Sequence, residues 1–523
     1  MERQKGVAGC SREFSLESAV QEAEELGTLL SCSFGPGGRA ALVQQPTGQL
    51  TVTRCGWAVL KAVYEDIQEP PNPIRRILLE CAGKIENCLG DGVKCFIFML
   101  SALLKHVQQL KGSRSRLITE FSRLQMSVAQ LTFLEYGTAA VADHCCKITS
   151  TFFHTRFPVS VSLSLEQVFH KWLSRYLTRD CDVISTLHHL YKNFAVLCVH
   201  QQLGSRSVCD CHVVAGFLVS RPAFNLCNPG PHVINVLLFG DDSDGALDVI
   251  DVECEVNSFL NEVSDDVPTL LLTSHILSDL MLFSLRRKKV VVLHGVPQAE
   301  AEYVSSLLQR NVPIEVKSAI EGTLECTWLG LLEVNHLVLC GPTETLSREY
   351  ASSCLGAIRL LLMTAKHRTL VKAGGWFERT LNFKLISKLE PIYQRQSVFS
   401  VTSRAELLIR HQQYRNLKEE GDNIEKLSSE ISLLSCCDSE KELVSVAQAL
   451  LCTDRDVVLA IAGSLLAVPH KLDKSPWCGH RQAFESLAFK AQIIQHVISA
   501  AVQILRIGSM VNISKASKTF PNQ

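Results

Sequence analysis

The chain has 523 residues, of which 46% are hydrophobic, and its 52 basic side chains nearly balance 53 acidic ones for a formal net charge of -1. This apolar content is sufficient to bury several cores, so about three or four structural units are expected. The neutral charge balance argues against a protein that binds nucleic acid or anionic membrane, and favours protein partners.

Cysteine usage and the N-terminal residues indicate a reducing compartment. The 21 cysteines contain no CxxC half-site, and we expect reduced thiols that pack as small core residues. The CxC pair Cys209-Asp210-Cys211 has no second pair nearby to complete a metal site. Met1 to Ser11 is polar, and the longest mostly apolar run, Cys95 to Leu104, is too short to span a bilayer. We therefore predict a cytosolic or nuclear protein without membrane insertion.

The first hundred residues are predicted to be mainly helical. Apolar residues recur at helical spacing from Phe14 to about Leu30, and the glycines and proline at 35–38 end that helix. Alternation at 50–52 predicts a short hairpin strand, followed by a helix from Trp57. A long helical segment then runs to about Val107, interrupted at residues 90–92.

The middle of the chain has a different pattern of apolar residues. Helical periodicity continues over about 115–200, but between about 203 and 335 short β-branched runs such as Val290 to Leu293 alternate with helices. A strand from Leu337 then precedes a long helix, and the last 120 or so residues are again helical. This order predicts an α/β unit inserted into a helical domain whose two halves lie at opposite ends of the chain.

Six short glycine-containing motifs occur along the chain. They are SCSFGPGGR at 31–39, LTVTRCG at 50–56, LGDGVKC at 89–95, VLCGPTETL at 338–346, VKAGGWFE at 371–378 and ILRIGSMV at 504–511. Each alone indicates only a turn. In this order they resemble the landmarks of the t-complex-type group II chaperonin subunits, and stretches such as NPIRRILLECAGKIENCLGDG resemble the chaperonin-like Bardet-Biedl syndrome proteins.

This resemblance implies a chaperonin-like α+β multidomain fold. A helical equatorial domain would comprise residues 1–125 and 373–523, and a small intermediate domain residues 126–202 and 336–372. The α/β apical domain, inserted over 203–335, would take the position at which the family binds non-native proteins.

The resemblance also implies an ATP and Mg²⁺ site in the glycine turns, with Asp91 as the metal ligand. Its candidate nucleotide-binding residues are Gly35, Pro36, Gly37, Gly90, Asp91, Gly92, Lys94, Gly374 and Gly375. Glycine allows backbone N–H groups to approach a phosphate closely, and a carboxylate oxygen is the ligand that Mg²⁺ prefers.

Several polar residues of the family site are replaced. Val93, Lys94 and Cys95 stand where the family has threonines that contact phosphate, and Cys55 replaces an acidic residue. Gly356 stands at the position of the catalytic aspartate, and losing a general base costs about two to four orders of magnitude in rate. We therefore predict no catalytic residue and inefficient hydrolysis, while the sequence leaves nucleotide binding and any contact of Lys94 with phosphate open.

Three functions are compatible with this sequence. The preferred one is a chaperonin-like assembly factor that forms hetero-oligomers through its equatorial domain. The resemblance implies as partners the other chaperonin-like Bardet-Biedl proteins, ordinary chaperonin (CCT) subunits and BBSome client subunits, in the cytoplasm and at the cilium base or centrosome. The alternatives are an active ATP-dependent chaperone and a monomeric protein-binding scaffold.

Overall fold

The computed structural model describes the fold over most of the chain. The described residues are 9–13, 15–35, 38–44, 50–65, 72–110, 113–131, 148–177, 182–202, 208–225, 232–233, 235–239, 258, 269–288, 290–308, 314–321, 324–331, 334–365, 370–373, 375, 377–382, 384–385, 444–451, 454–468 and 484–513. They belong to two compact units: unit 1 contains Met1–Phe157 and Arg359–Gln523, and unit 2 contains Pro158–Ile358. The finer boundaries predicted from the sequence stay a prediction.

The first segment of unit 1 is mostly helical. Its elements are β1 (Gly9–Glu13), α1 (Leu16–Ser31), β2 (Ala41–Gln44), β3 (Leu50–Thr53), α2 (Gly56–Glu65), α3 (Pro73–Leu89), α4 (Val93–Gln109) and α5 (Arg114–Ala129). The Asn72 side chain accepts a hydrogen bond from the Ile74 N–H, and Pro73 opens α3 with its φ already helical. Gly90 ends α3 in the left-handed conformation. Residues 148–156 form a further helical segment.

Unit 2 combines helices with small sheets. Its elements are α6 (Val159–Tyr176), α7 (Val183–Lys192), α8 (Phe194–Leu197), β4 (Cys198–Gln202), β5 (His212–Ala215), β6 (Phe217–Val219), β7 (His232–Val233), β8 (Asn235–Phe239), β9 (Thr269–Thr273), α9 (Asp279–Arg287), β10 (Val291–Leu293), α10 (Gln298–Leu308), β11 (Ile314–Glu321), β12 (Leu324–Leu329), β13 (Asn335–Gly341) and the first part of α11 (Glu344–Ala365). The parallel sheet has the order β10-β9-β8, and two further sheets have the orders β6-β12-β11-β7 and β4-β13-β5.

The second segment of unit 1 completes its helical core. It adds β14 (Leu370–Lys372), α12 (Arg455–Leu465), β15 (Phe484–Ser486), α13 (Leu487–Leu505) and β16 (Ser509–Ile513). Helix α13 packs against α3, α4 and α5, and α12 packs against α4. Strand β16 pairs antiparallel with β1, so the two ends of the described chain meet in one two-stranded sheet.

Helix α13 is the one described helix that is long and apolar enough to cross a membrane, and it is longer than the run at Cys95–Leu104 that the sequence pointed to. Of its most apolar 18-residue window, 72% is buried inside the protein. That burial is typical of the central helix of a packed core, which passes the same test of length and composition.

The fold is a mostly helical α+β architecture with small sheets, as the sequence predicts. The expected hairpin strand at 50–52 is β3, and the helix expected from Trp57 is α2. The strand predicted from Leu337 is β13, all of whose residues are buried. The charge-rich stretch from Arg415 to Glu430 lies outside the described residues.

Candidate functional site

The first glycine turn of unit 1 follows α1. Gly35 has φ 74°, and the N–H of Gly38 donates to the Gly35 carbonyl oxygen at 3.0 Å. The N–H of Arg39 reaches back to the Cys32 carbonyl oxygen at 2.8 Å and closes the turn. The predicted site residues Pro36 and Gly37 lie outside the described residues.

The second glycine turn connects α3 to α4. Gly90 and Gly92 both have positive φ, 74° and 93°, so the chain passes from one helix to the next through a three-residue turn that favours glycine. A Cβ on Gly92 would lie 2.6 Å from Cδ1 of Ile493, so the turn rests directly on α13. The Asp91 side chain between them is 41% exposed.

Lys94 lies in the first turn of α4, and its side chain extends across to the first glycine turn. Its Nζ donates to the Ser33 carbonyl oxygen at 2.5 Å. On the way, the chain passes Gly56 at the start of α2, where a Cβ would lie only 2.7 Å from the Lys94 Cγ. Burial lowers the pKa of Lys94, and the Asp91 carboxylate acts against that shift. Three of the glycine motifs therefore meet at one lysine.

Arg156 is a site residue that the sequence reasoning missed. Its side chain is 5% exposed, and its NH2 nitrogen donates to the Gly90 carbonyl oxygen at 2.6 Å. The same nitrogen lies 3.4 Å from Oε1 of Glu86 and 3.8 Å from Oδ1 of Asp91. Burial alone would lower the pKa of Arg156, but Cys55, Glu86 and Asp91 outweigh it and raise the pKa.

A buried ion cluster, which we call the lysine triad, comprises Lys490, Glu378 and Glu485. The Lys490 Nζ lies 2.9 Å from Oε1 of Glu378 and 2.9 Å from Oε2 of Glu485. Lys490 is on α13, Glu485 is in β15, and Glu378 is the last residue of the glycine motif at 371–378. Burial beside this cluster raises the pKa of Cys95 on α4 to about 12, so its thiol stays protonated.

The glycine motif at 371–378 is described in part. Gly375 has φ 84°, whereas Gly374 and Trp376 lie outside the described residues. Gly375 precedes the helical residues 377–382, which carry Glu378 of the lysine triad.

Gly356 lies within α11, in unit 2, and it is buried. Ser352, one turn earlier, is exposed, and Ser353 is buried. The acidic residues of α11 are Glu344 and Glu349, and neither is within one turn of Gly356. Nothing along the helix therefore supplies a carboxylate at the expected position.

The described side chains do not fit a resident metal site. No group of three or more His, Cys, Asp or Glu side chains among them could hold a metal ion. The guanidinium of Arg156 lies beside Asp91 and already contacts the nearby Gly90 carbonyl and Glu86 carboxylate oxygens, and a fixed cation there disfavours a divalent cation at the same oxygens. In the CxC pair, Cys209 is exposed whereas the buried Cys211 accepts a hydrogen bond from the Cys340 N–H at 3.2 Å.

Comparisons with known proteins give partial matches. No family model matches the chain. The chain is similar to the BBSome complex assembly protein BBS10 of Pongo abelii, at 34% identity over 99 residues, which are 19% of this chain and 13% of that protein. It is also similar to BBS10 of Mus musculus, at 23% identity over 424 residues, which are 66% of this chain and 58% of that protein.

A third match is the T-complex protein 1 subunit epsilon of Encephalitozoon cuniculi, at 31% identity over 87 residues, which are 17% of this chain and 16% of that protein. Each alignment spans less than two thirds of the relative's own length. The matches confirm the resemblance predicted from the glycine motifs: the chain is distantly homologous to BBS10 over much of its length and to a t-complex subunit.

Proposed function

We propose that this distant relative of the BBSome assembly protein BBS10 and of the t-complex subunits is a chaperonin-like assembly factor with a degenerate ATPase site. Unit 2 would hold apolar segments of client polypeptides, and unit 1 would join related subunits. By the homology, the clients are BBSome subunits, and the co-partners are other chaperonin-like Bardet-Biedl proteins and CCT subunits, in the cytoplasm and at the cilium base.

One observation carries the client-binding part of this proposal. Ile276, Leu280 and Phe283, in and just before α9, are 83%, 74% and 61% exposed. The opposite face of α9 is anchored, because Met281 and Leu285 belong to a hydrophobic cluster with β9 and β10. Leu280 and Phe283 therefore lie on a helix that is anchored on its opposite face, and Ile276 lies in the segment just before it. We call Ile276, Leu280 and Phe283 the α9 apolar patch.

The α9 apolar patch is suited to an apolar segment of another polypeptide. Large apolar side chains scattered singly are ordinary on protein surfaces, but three on one short stretch indicate an interaction site. The last turn of α9 adds exposed Arg286 and Arg287. Client segments with acidic residues beside the apolar ones would therefore be favoured.

The β2–β3 hairpin supports assembly through unit 1. Leu42 lies opposite Val52 in its register, and both are exposed, as is Leu50 two residues before Val52. Within the described residues this hairpin and the β1–β16 pair are two-stranded sheets. Sheets of two strands are marginally stable alone, and adding strands from another chain would extend them.

The degenerate-site part of the proposal is supported by the residues at the motif positions. Gly356 offers no carboxylate, and Lys94 donates to a backbone carbonyl of the chain itself. An active ATP-dependent chaperone would instead hydrolyse ATP with Mg²⁺ and lose that activity in Asp91→Ala. Turnover that disappears in this variant would overturn the degenerate-site part.

The client-binding part is tested with the triple variant Ile276→Ser, Leu280→Ser, Phe283→Ser. The full chain is mixed with citrate synthase diluted from denaturant, and aggregation is followed by light scattering. We expect the wild type to suppress aggregation, and the variant to need about tenfold more protein for the same effect, because burial of the three side chains is lost. The matched control is Val159→Ser, Ile184→Ser, two other exposed apolar residues of unit 2.

Equal suppression by the triple variant and the wild type would contradict client binding at α9. The same preparations are sized after co-expression with CCT subunits. A wild-type chain that stays monomeric there would contradict assembly and favour the scaffold alternative.

A further inference from the structure

Three of the glycine motifs of unit 1, at 31–39, 50–56 and 89–95, are joined by one side chain of the protein itself. Lys94 starts in the first turn of α4, directly after the Gly90–Gly92 turn, and its ammonium ends on the Ser33 carbonyl oxygen of the Gly35 turn at 2.5 Å. Between these ends its methylene chain lies against Gly56, close enough that a Cβ there would overlap Cγ at 2.7 Å. The space between the turns is thus crossed by the lysine.

A second cation of the protein holds the other side of the Gly90–Gly92 turn. The guanidinium of Arg156 donates to the Gly90 carbonyl oxygen at 2.6 Å and lies 3.8 Å from the Asp91 carboxylate. It is fixed from behind by the Phe152 ring, whose centroid is 4.4 Å from the Arg156 Cζ. Arginine cannot lose its proton in a protein, so this charge is permanent.

These two contacts have a common chemistry. Both cations are bonded to backbone carbonyl oxygens of the glycine turns, and carbonyl oxygens are also ligands that a hard metal ion accepts. Asp91, the one carboxylate at the turn, already has a cationic neighbour. A divalent cation placed at Asp91 would be repelled by the guanidinium, and the Lys94 ammonium would have to leave the Ser33 carbonyl before it could bind a phosphate between the turns.

We propose that Lys94 and Arg156 are built-in cations that hold the glycine turns of unit 1 together in place of Mg²⁺ and nucleotide. The turns are then closed without a ligand, and unit 1 gains no stability from Mg²⁺-ADP. This inference rests on the proposed function in taking unit 1 as the chaperonin-like nucleotide unit. It is independent of client capture at α9, so either can fail while the other stands.

The test follows thermal unfolding of the full chain with millimolar Mg²⁺ and ADP, and with EDTA alone. The variant is Lys94→Thr, which removes the lysine and leaves a short hydroxyl at that position. The matched control is Lys105→Thr on the same helix, where the lysine is exposed and pairs with Glu24 at 2.8 Å.

We expect the wild type and Lys105→Thr to unfold at the same temperature with and without Mg²⁺-ADP. Lys94→Thr should unfold at a lower temperature in EDTA and recover by about 3 °C or more with Mg²⁺-ADP, because the opened site binds ligand only when folded. The inference is overturned if Mg²⁺-ADP stabilises the wild type as much as Lys94→Thr, or if Lys94→Thr unfolds at the wild-type temperature in EDTA.

A measurement on the wild type alone keeps the inference open to refutation if the variant does not fold. Fluorescent N-methylanthraniloyl-ADP is titrated with the wild-type chain in the presence of Mg²⁺. We expect no saturable signal. Saturable binding that disappears in EDTA would show that the turns accept a metal-bound nucleotide, and the proposal would be wrong.

Discussion

Two lysines of unit 1, the half-buried Lys94 on α4 and the buried Lys490 on α13, have opposite electrostatic surroundings. Lys94 faces a backbone carbonyl, and burial lowers its pKa. Burial also opposes the charge of Lys490, but Glu378 and Glu485 outweigh it and raise the pKa of Lys490 well above its usual value. Removing a lysine that is bonded to a backbone carbonyl leaves no unpaired charge at that carbonyl, whereas removing a lysine that is paired with two carboxylates leaves both of them unpaired. We call Lys94 a tether and Lys490 a core charge.

Breaking the lysine triad should cause the largest loss in the free energy of unfolding of all the changes considered for the two lysines. Lys490→Met leaves the buried Glu378 and the half-buried Glu485 without their cation, and breaking a buried ion cluster in this way costs about 3–5 kcal/mol in the free energy of unfolding. Urea unfolding followed by circular dichroism measures that loss. Lys84→Met on α3, where the lysine is exposed, is the control and should change little.

Replacing the whole triad sharpens this prediction. The variant Lys490→Met, Glu378→Gln, Glu485→Gln removes all three charges together, and we expect it to recover a large part of the stability lost in Lys490→Met. A triple variant less stable than Lys490→Met would show that the charges themselves, rather than the unpaired carboxylates, hold α13 in place.

The path of Lys94 over Gly56 is tested by a double-mutant cycle. Gly56→Ala places a methyl group 2.7 Å from the Lys94 Cγ, which is near the root of the side chain, and should cost about 1–3 kcal/mol. In a Lys94→Ala background the obstacle is gone, and the same change should be neutral or stabilise α2 by up to about 1 kcal/mol, because alanine favours a helix over glycine.

Denaturant unfolding of the four proteins in the cycle gives the interaction energy between the two positions. Additive effects would mean that the Lys94 side chain does not lie against Gly56. Lys94 would then not connect the glycine motifs, and its contrast with Lys490 would not hold. An interaction energy of about 1 kcal/mol or more would show that the Lys94 side chain lies against Gly56 between the turns.

Local patterns predicted the glycine turns but not the charges that hold them. The motifs at 35–38 and 90–92 required positive φ, and Gly35, Gly90 and Gly92 have it. Arg156 escaped notice because it is 66 residues from Gly90 in sequence and belongs to no motif. The signal was present, since a charged residue within the apolar stretch TFFHTRF has to find a partner when buried.

The same reasoning applies to Lys490 and to α9. Lys490 interrupts the apolar run of α13, which marks a buried charge but does not reveal that its partners come from β15 and from the glycine motif at 371–378. In α9 both faces carry apolar residues, so the spacing alone could not tell the anchored Met281 and Leu285 from the exposed Leu280 and Phe283. Only the packing of the sheet decides which face stays open.

The smallest expected effect is a difference in pH dependence between the two lysines. The folded-state pKa of Lys94 is below 10.5, so between these values the unfolded chain binds a proton that the folded chain lacks, and stability rises with pH. The stability gap between the wild type and Lys94→Met should therefore widen as the pH approaches 10.5. For Lys490, whose folded-state pKa is raised, the stabilisation is complete below 10.5 and is lost above it.

Urea unfolding of the wild type, Lys94→Met and Lys490→Met from neutral pH to 10.5 separates these trends. The gap for Lys490→Met should stay constant over this range while the gap for Lys94→Met grows. A constant gap for Lys94→Met would mean that Asp91, which favours the charged ammonium, offsets burial completely. Lys94 would then be as permanent a cation as Lys490, and the distinction between a tether and a core charge would disappear.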